Sequence, residues 1–135
     1  MIEIVTTSVV IAYDISLDDI RGESRKKPLP EARRMIAFLL FKSRFKQTEI
    51  ANKINCSRSL ISRAVEKHLF ELTHYEDVAK KYLKTKRIMK INLETRIKQL
   101  ENWLTENPEA DWILRHDKIK ELADLNEELS ELSIN

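Results

Sequence analysis

The stretch KQTEIANKINCSRSLISRAVEKH, from Lys46 to His68, restricts this chain more than any other. It reads as two short helices with a tight turn between them. Thr48 is placed to cap the first helix, because its hydroxyl can accept a hydrogen bond from a free first-turn amide. Ile50, Ala51 and Ile54 give that helix an apolar face. Asn55-Cys56-Ser57 then interrupts it, since Asn tolerates the left-handed conformation that ends a helix and Ser57 can cap the next. Ile61, Ala64, Val65, His68 and Leu69 recur at spacings of three and four along the second helix. Arg58, Ser59, Ser62 and Arg63 gather near its start, toward the other side. A helix with one buried stripe and a short, basic, hydrogen-bonding N-terminal end suits a DNA major groove. Small Ala51 lets the two helices cross closely, so the stretch is a helix-turn-helix candidate, in a pattern that many helical hairpins share.

With one Gly, three Pro and few β-branched runs beyond the first ten residues, the 135-residue chain is expected to be all-α. Its length allows one compact domain, or one domain with an appendage. No stretch is apolar and long enough to span a bilayer, and no basic-then-apolar signal peptide opens the chain. The single Cys56 forms no internal disulfide, and a soluble, cytoplasmic protein is expected. Cys56 is read as a small packing residue in the turn rather than a reactive thiol. The net charge of +2 is unevenly divided: residues 1–90 carry +8 and residues 91–135 carry −6. The basic part can bind phosphates, while the acidic part is repelled by DNA.

Taken in order, the opening IEIVTTSVVIAY has strand-like propensity but also a helical stripe in Ile4, Val5, Ser8, Val9, Ile11 and Ala12. With no second strand to pair with, a helix is expected. Ser16 and Asp19 resemble a capping box opening a short second helix. GESRKKPLP, from Gly22 to Pro30, is a basic loop holding Arg25, Lys26 and Lys27, which could lie along a DNA backbone or enter a minor groove. A third helix, roughly Glu31 to Arg44, has Ala32, Met35, Ile36, Leu39 and Leu40 as its stripe. Arg33 and Arg34 lie in its first turn, where cations oppose the helix dipole, so either a phosphate or an ion pair with Asp18 or Asp19 would account for them. Beyond His68 the helical pattern continues, with a bend expected near Thr73-His74. Asn92 is read as the cap of a further helix carrying Leu93, Ile97, Leu100 and Leu104. Asn107-Pro108 is read as the stop of that helix and the start of a last one, striped by Trp112, Ile119, Leu122, Leu125, Leu129 and Leu132. These two helices are expected to form an antiparallel hairpin.

Residues 12 to 68, AYDISLDDIRGESRKKPLPEARRMIAFLL followed by TEIANKI and RSLISRAVEKH, resemble the C-terminal DNA-binding domain of the bacterial replication initiator DnaA. The resemblance implies an all-α domain with a basic loop and a helix-turn-helix that reads short origin boxes. By position it implies a minor-groove role for Arg25 with Lys27 beside it, phosphate contacts for Arg33 and Arg34, and backbone contacts for Gln47 and Thr48. Ser57, Arg58 and Ser59 fall where that family has Asp-His-Thr touching bases. Leu60 replaces a second Thr, and Asn55 stands for the family's turn glycines. Arg58 would favour guanine, whose O6 and N7 accept a bidentate arginine. With Gly22 the sole glycine, no phosphate-cradling G-x-x-x-x-G-K-[ST] loop exists, so no nucleotide partner is expected.

No enzyme, cofactor or metal site is expected. His68-x-x-Glu71-x-x-His74 has helical spacing but lacks the H-E-x-x-H pattern, and His68 is read as packing beside Leu69 and Leu72. The expectation is a helix-turn-helix domain over residues 1–72 and a helical extension with an acidic hairpin over 73–135. The DNA-binding residues expected are Arg25, Lys26, Lys27, Arg33, Arg34, Gln47, Thr48, Ser57, Arg58, Ser59 and Arg63. The partner is double-stranded DNA, bound for origin recognition or transcriptional regulation, with no membrane involved. Residues 91–135 are expected to support a homodimer or hold a protein partner. The competing reading is a helical adaptor whose acidic hairpin does the binding.

Overall fold

The computed structural model describes residues 1–134, and among them it is all-helical, with no strand. Seven α-helices follow one another: α1 (Ile2–Tyr13), α2 (Leu17–Arg21), α3 (Leu29–Lys42), α4 (Gln47–Ile54), α5 (Ile61–His74), α6 (Glu76–Glu106) and α7 (Trp112–Ile134). A 3₁₀ turn, Arg58–Leu60, leads into α5. The chain divides into two compact units, Met1–Ile88 and Met89–Asn135. Residues 73–88 thus belong with the first unit, where the sequence placed its end at 72.

In the first unit α3 is the axle, packing against α1, α2, α4 and α5. Its Ala32, Met35, Ile36, Leu39 and Leu40 are buried as expected, and Ala37 and Phe38 are buried as well. A helix apolar nearly all round sits inside its domain rather than on its surface. It begins at Leu29, two residues earlier than expected. Pro28 precedes the helix and Pro30 falls in its first turn, where a missing N–H leaves no bond unmade. Around it stand Val5, Val9 and Ala12 of α1, Ile20 of α2, Ile50 and Ile54 of α4, and Ile61 and His68 of α5. The start of α6 closes the layer: Thr85 Oγ1 lies 3.3 Å from Met35 Sδ, and the Tyr82 and Phe38 rings meet edge-on.

Helix ends explain how the chain manages with one glycine. α1, α3 and α4 each stop at a left-handed residue, respectively Asp14 (φ 54°), Arg44 (φ 68°) and Asn55 (φ 56°). In each case the next amide reaches back five residues, from Ile15 to Val10, Phe45 to Leu40 and Cys56 to Ala51. This bond satisfies a terminal carbonyl that would otherwise lack a partner. Ser16 and Asp19 form the expected capping box at α2, with reciprocal bonds of 3.1 and 3.0 Å.

Several local expectations are revised. Thr48 does not cap α4; that helix starts at Gln47, and Glu49 instead accepts from the Lys46 amide. Ile11 and Leu69 are about half exposed, because each lies at or beyond the edge of its helix's buried stripe. Tyr75, in an extended conformation, breaks α5 from α6 close to the anticipated bend. Asn92 caps nothing, since it lies inside the continuous 31-residue α6.

In the second unit, α7 folds back along the end of α6. Leu93, Ile97, Leu100 and Leu125 are buried there, and Arg96 grips Glu121 through both carboxylate oxygens. That arginine holds the Glu121 carboxyl below its usual range. Asn107 bonds back to the Trp103 carbonyl, and Pro108 stays in the turn rather than opening α7. Asp111 takes the capping role, accepting from the Ile113 amide at 2.8 Å. Trp112 and Ile119, expected in the stripe, are exposed together with Ile113 and Leu114.

Candidate nucleic-acid interface

α4, its turn and the start of α5 present a largely polar outer surface because Ile50, Ala51, Ile54, Ile61 and His68 are turned into the core, while Leu60, Leu69 and Phe70 are about half exposed. Ser57, Arg58, Ser59, Ser62, Arg63 and Lys67 are all exposed. The Ser57 and Ser59 hydroxyls lie 3.0 Å apart, and Gln47 Nε2 donates to Ser62 Oγ at 3.2 Å, joining the start of α4 to the outer face of α5. Thr48 is exposed beside Gln47. The 3₁₀ turn sets Arg58 and Ser59 ahead of α5 proper, and Ser57 precedes that turn without a side-chain capping bond. Ser59, Arg63 and Lys67 follow at intervals of four, the spacing that aligns side chains along a helix. Lys67 was missed from sequence; its distance of four from Arg63 was the available signal.

The basic loop is held against this surface by side-chain hydrogen bonds to main chain. Arg21 Nη1 donates to the carbonyls of Asn52 and Lys53, at 2.7 and 2.9 Å, and so supplies a cation to the C-terminal end of α4. Asn55 Nδ2 returns a bond to the Arg21 carbonyl at 2.9 Å. These bonds bring α2 and the loop after it to the turn before α5. Arg25, Asn55, Cys56 and Leu60 consequently line one groove of about 610 Å³. Lys26 and Lys27 are exposed in the same loop. A second groove, about 590 Å³, adjoins through Arg25 and is lined also by Lys27, Lys67 and Tyr75.

Two of the expected phosphate contacts require correction. Arg33 directs its guanidinium at four main-chain carbonyls, those of Asp19, Ile20, Gly22 and Ser24, at 2.6–3.0 Å. It is the clamp that shapes the basic loop, with most of its donors already used. Arg34 makes a bidentate pair with buried Glu71, at 2.6 and 2.9 Å, tying α3 to α5. Their cations are accounted for inside the fold, though by Glu71 and carbonyls rather than by the carboxylates of Asp18 or Asp19.

His68, Glu71 and His74 do not converge. His68 is fully buried against the Phe38 ring, Glu71 is engaged by Arg34, and His74 is exposed and stacked on Phe70. Both ring nitrogens of His68 lack a hydrogen-bond partner, and its Nδ1 is 3.9 Å from Glu71. Burial pushes its pKa down to about 4, with the nearby Glu71 carboxylate opposing that shift only in part. Burial also pushes the Cys56 thiol up, away from the reactive thiolate. Tyr13 donates to Glu31, and burial plus that bond raise its pKa, which keeps the phenol protonated. Among the described residues no three His, Cys, Asp or Glu side chains cluster as a metal ion would need, and no helix is long and apolar enough to cross a membrane. Comparison of the chain with family models, with curated proteins and with solved structures found no match.

Proposed function

We propose that this is a sequence-specific double-stranded DNA-binding protein, with α4 and α5 acting as a helix-turn-helix of the DnaA C-terminal type. In this reading Ser57, Arg58 and Ser59 meet base edges in the major groove, while Gln47, Thr48 and Arg63 meet the backbone. Arg25, with Lys26 and Lys27, reaches the neighbouring minor groove. Replication-origin recognition and transcriptional regulation are the two uses that fit. The observation that carries the reading is the shared groove between Arg25 and the turn before α5, which puts two independently basic segments on one surface. Major-groove helix and minor-groove arm working from one small domain is an established docking geometry. A titration of duplex binding against salt tests it. Counterion release demands a steep fall in affinity as salt rises, and no binding at low salt would remove the proposal. Enrichment of one sequence from a random duplex pool would then supply the target.

A second reading is favoured by one observation. Trp112 is 75% exposed, and Ile113, Leu114 and Ile119 beside it are about half exposed. In this reading the second unit is a docking element, for a second copy or another protein. Sedimentation of wild type and Trp112→Ala tests it: an assembly that the substitution disperses supports the idea, and a wild type monomeric at high concentration removes the self-association form.

A further inference from the structure

We infer that the first unit carries a second DNA contact, formed by Lys80, Lys84 and Arg87 of α6, which grips backbone phosphates flanking the segment that α5 reads. The inference rests on the DNA-binding reading above. The three residues are spaced by four and three, so they share one face of α6, and all are exposed. Lys81 and Lys86, which interleave with them, are otherwise occupied: Lys81 Nζ donates to the Ala12 carbonyl and sits over the Tyr13 ring, and Lys86 sits over the Tyr82 ring. Lys80 has only a solvent-exposed partner in Glu76, at 3.4 Å. Lys84 and Arg87 have no carboxylate within ion-pair distance among the described residues. The stack of like charges is a local cost to α6 that Glu76 and Asp77, both near Lys80 at the start of the helix, offset only in part.

The placement makes the stripe an extension of the α5 surface rather than a separate patch. The groove that holds Arg25 and Lys67 shares Pro28, Glu31 and Asp77 with the next groove, of about 620 Å³, which Lys80 and Lys84 line. A basic track therefore runs from the turn before α5, through Arg25, to α6. Of the carboxylates along it, Glu71 is neutralised by Arg34, while Glu23, Glu31 and Asp77 remain as opposing charges against Arg25, Lys27, Lys67, Lys80, Lys81 and Lys84. From Lys80 to Arg87 the helix advances about 10 Å, a length over which one DNA strand presents about three phosphates.

The test uses the full chain with Lys84→Gln/Arg87→Gln, and Lys98→Gln/Lys120→Gln as a charge-matched control in the second unit. Each is titrated on a duplex of about one helical turn bearing the preferred site and on one of about two turns. Wild type and control are expected to bind the longer duplex more tightly, and the Lys84/Arg87 variant to lose that gain. Its log–log salt slope on the longer duplex should be shallower by about 1.8, so that between 50 and 200 mM salt it loses about 12-fold less affinity than wild type. Equal slopes for variant and wild type would overturn the flanking contact while leaving DNA binding by α5 intact. A variant equally weakened on both lengths, or a control that behaves as the variant does, would overturn it too. If wild type binds neither duplex at low salt, the DNA-binding reading itself falls, and the flanking contact with it.

Discussion

Replacing Arg34 by alanine would leave the Glu71 carboxylate buried without its guanidinium, and stranding a buried charge in this way costs about 3–5 kcal/mol. Arg34→Ala is therefore expected to lower the urea midpoint sharply. Arg34→Met/Glu71→Met should recover much of the loss, because the desolvated charge disappears with its partner. A midpoint unmoved by the single change would mean that the pair does not tie α3 to α5. Below the same network, His68 makes stability depend on pH. Its folded pKa of about 4 lies below the ordinary 6.5, so the unfolded chain takes up a proton first. Stability from this group is complete above pH 6.5 and drains as pH falls toward 4, by at most about 1.4 kcal/mol per unit. Urea titrations at several pH values, on wild type and His68→Gln, measure it; the variant's dependence should be flatter in that window. On the outer surface Arg58→Ala should cost about 1–3 kcal/mol on the preferred DNA site and less on unrelated duplex. Equal losses on both would make Arg58 a phosphate contact. The exposed residues of the candidate site were legible in the sequence because being polar on a striped helix already places them outward. Arg33 and Arg34 were not, because their partners are carbonyls and a carboxylate remote in sequence, and a charge in a sequence does not show what it faces.

Elements were legible wherever period and punctuation agreed. α3 announced itself through an unbroken stripe behind two prolines, and Ser16 and Asp19 fixed the start of α2. The α5–α6 break at Tyr75 carried no Gly or Pro, yet the pattern faltered within two residues of it. The misreadings share one cause: polar residues that can cap also sit comfortably on an exposed or half-exposed helix face. Asn92 and Thr48 are of this kind, and Asn107-Pro108 drew the start of α7 too early, while Asp111 held the geometry. Asp111→Ala should cost about 1 kcal/mol, the usual worth of such a cap. Thermal unfolding of that variant beside Thr48→Ala separates the two positions, and a larger loss from Thr48→Ala would reverse the assignment.

At the scale of the whole molecule, the boundary at Ile88 decides what a shortened chain can do. Every residue proposed to touch DNA lies in Met1–Ile88, as do Val78 and Thr85, which are buried in that unit. A chain ending after Ile88 is expected to keep a cooperative melt and duplex binding. One ending after Leu72 removes Val78 and the Thr85 contact to Met35, and should lose stability by several kcal/mol, the scale of deleting buried side chains. Equal melting of the two would show that residues 73–88 contribute nothing to the unit. The sequence pointed to 72 because the resemblance ends at His68, shortly before it, whereas Val78 and Thr85 are buried within the first unit.

Three helices of this protein terminate on left-handed residues that are not glycine, and this leaves room for improvement in the laboratory. An L-residue in that conformation is strained, most of all one such as Arg44, whose side chain offers no local compensation. Arg44→Gly should therefore raise the denaturation midpoint, by about 0.5–1 kcal/mol after the added freedom of the unfolded chain is subtracted. Asn55→Gly should raise it less, because asparagine tolerates the conformation and its side chain also holds the Arg21 carbonyl. Directed evolution toward a heat-resistant variant has a short path here, through the link between α3 and α4, which contains none of the proposed base contacts, and a selection that enriched β-branched residues at position 44 would contradict it.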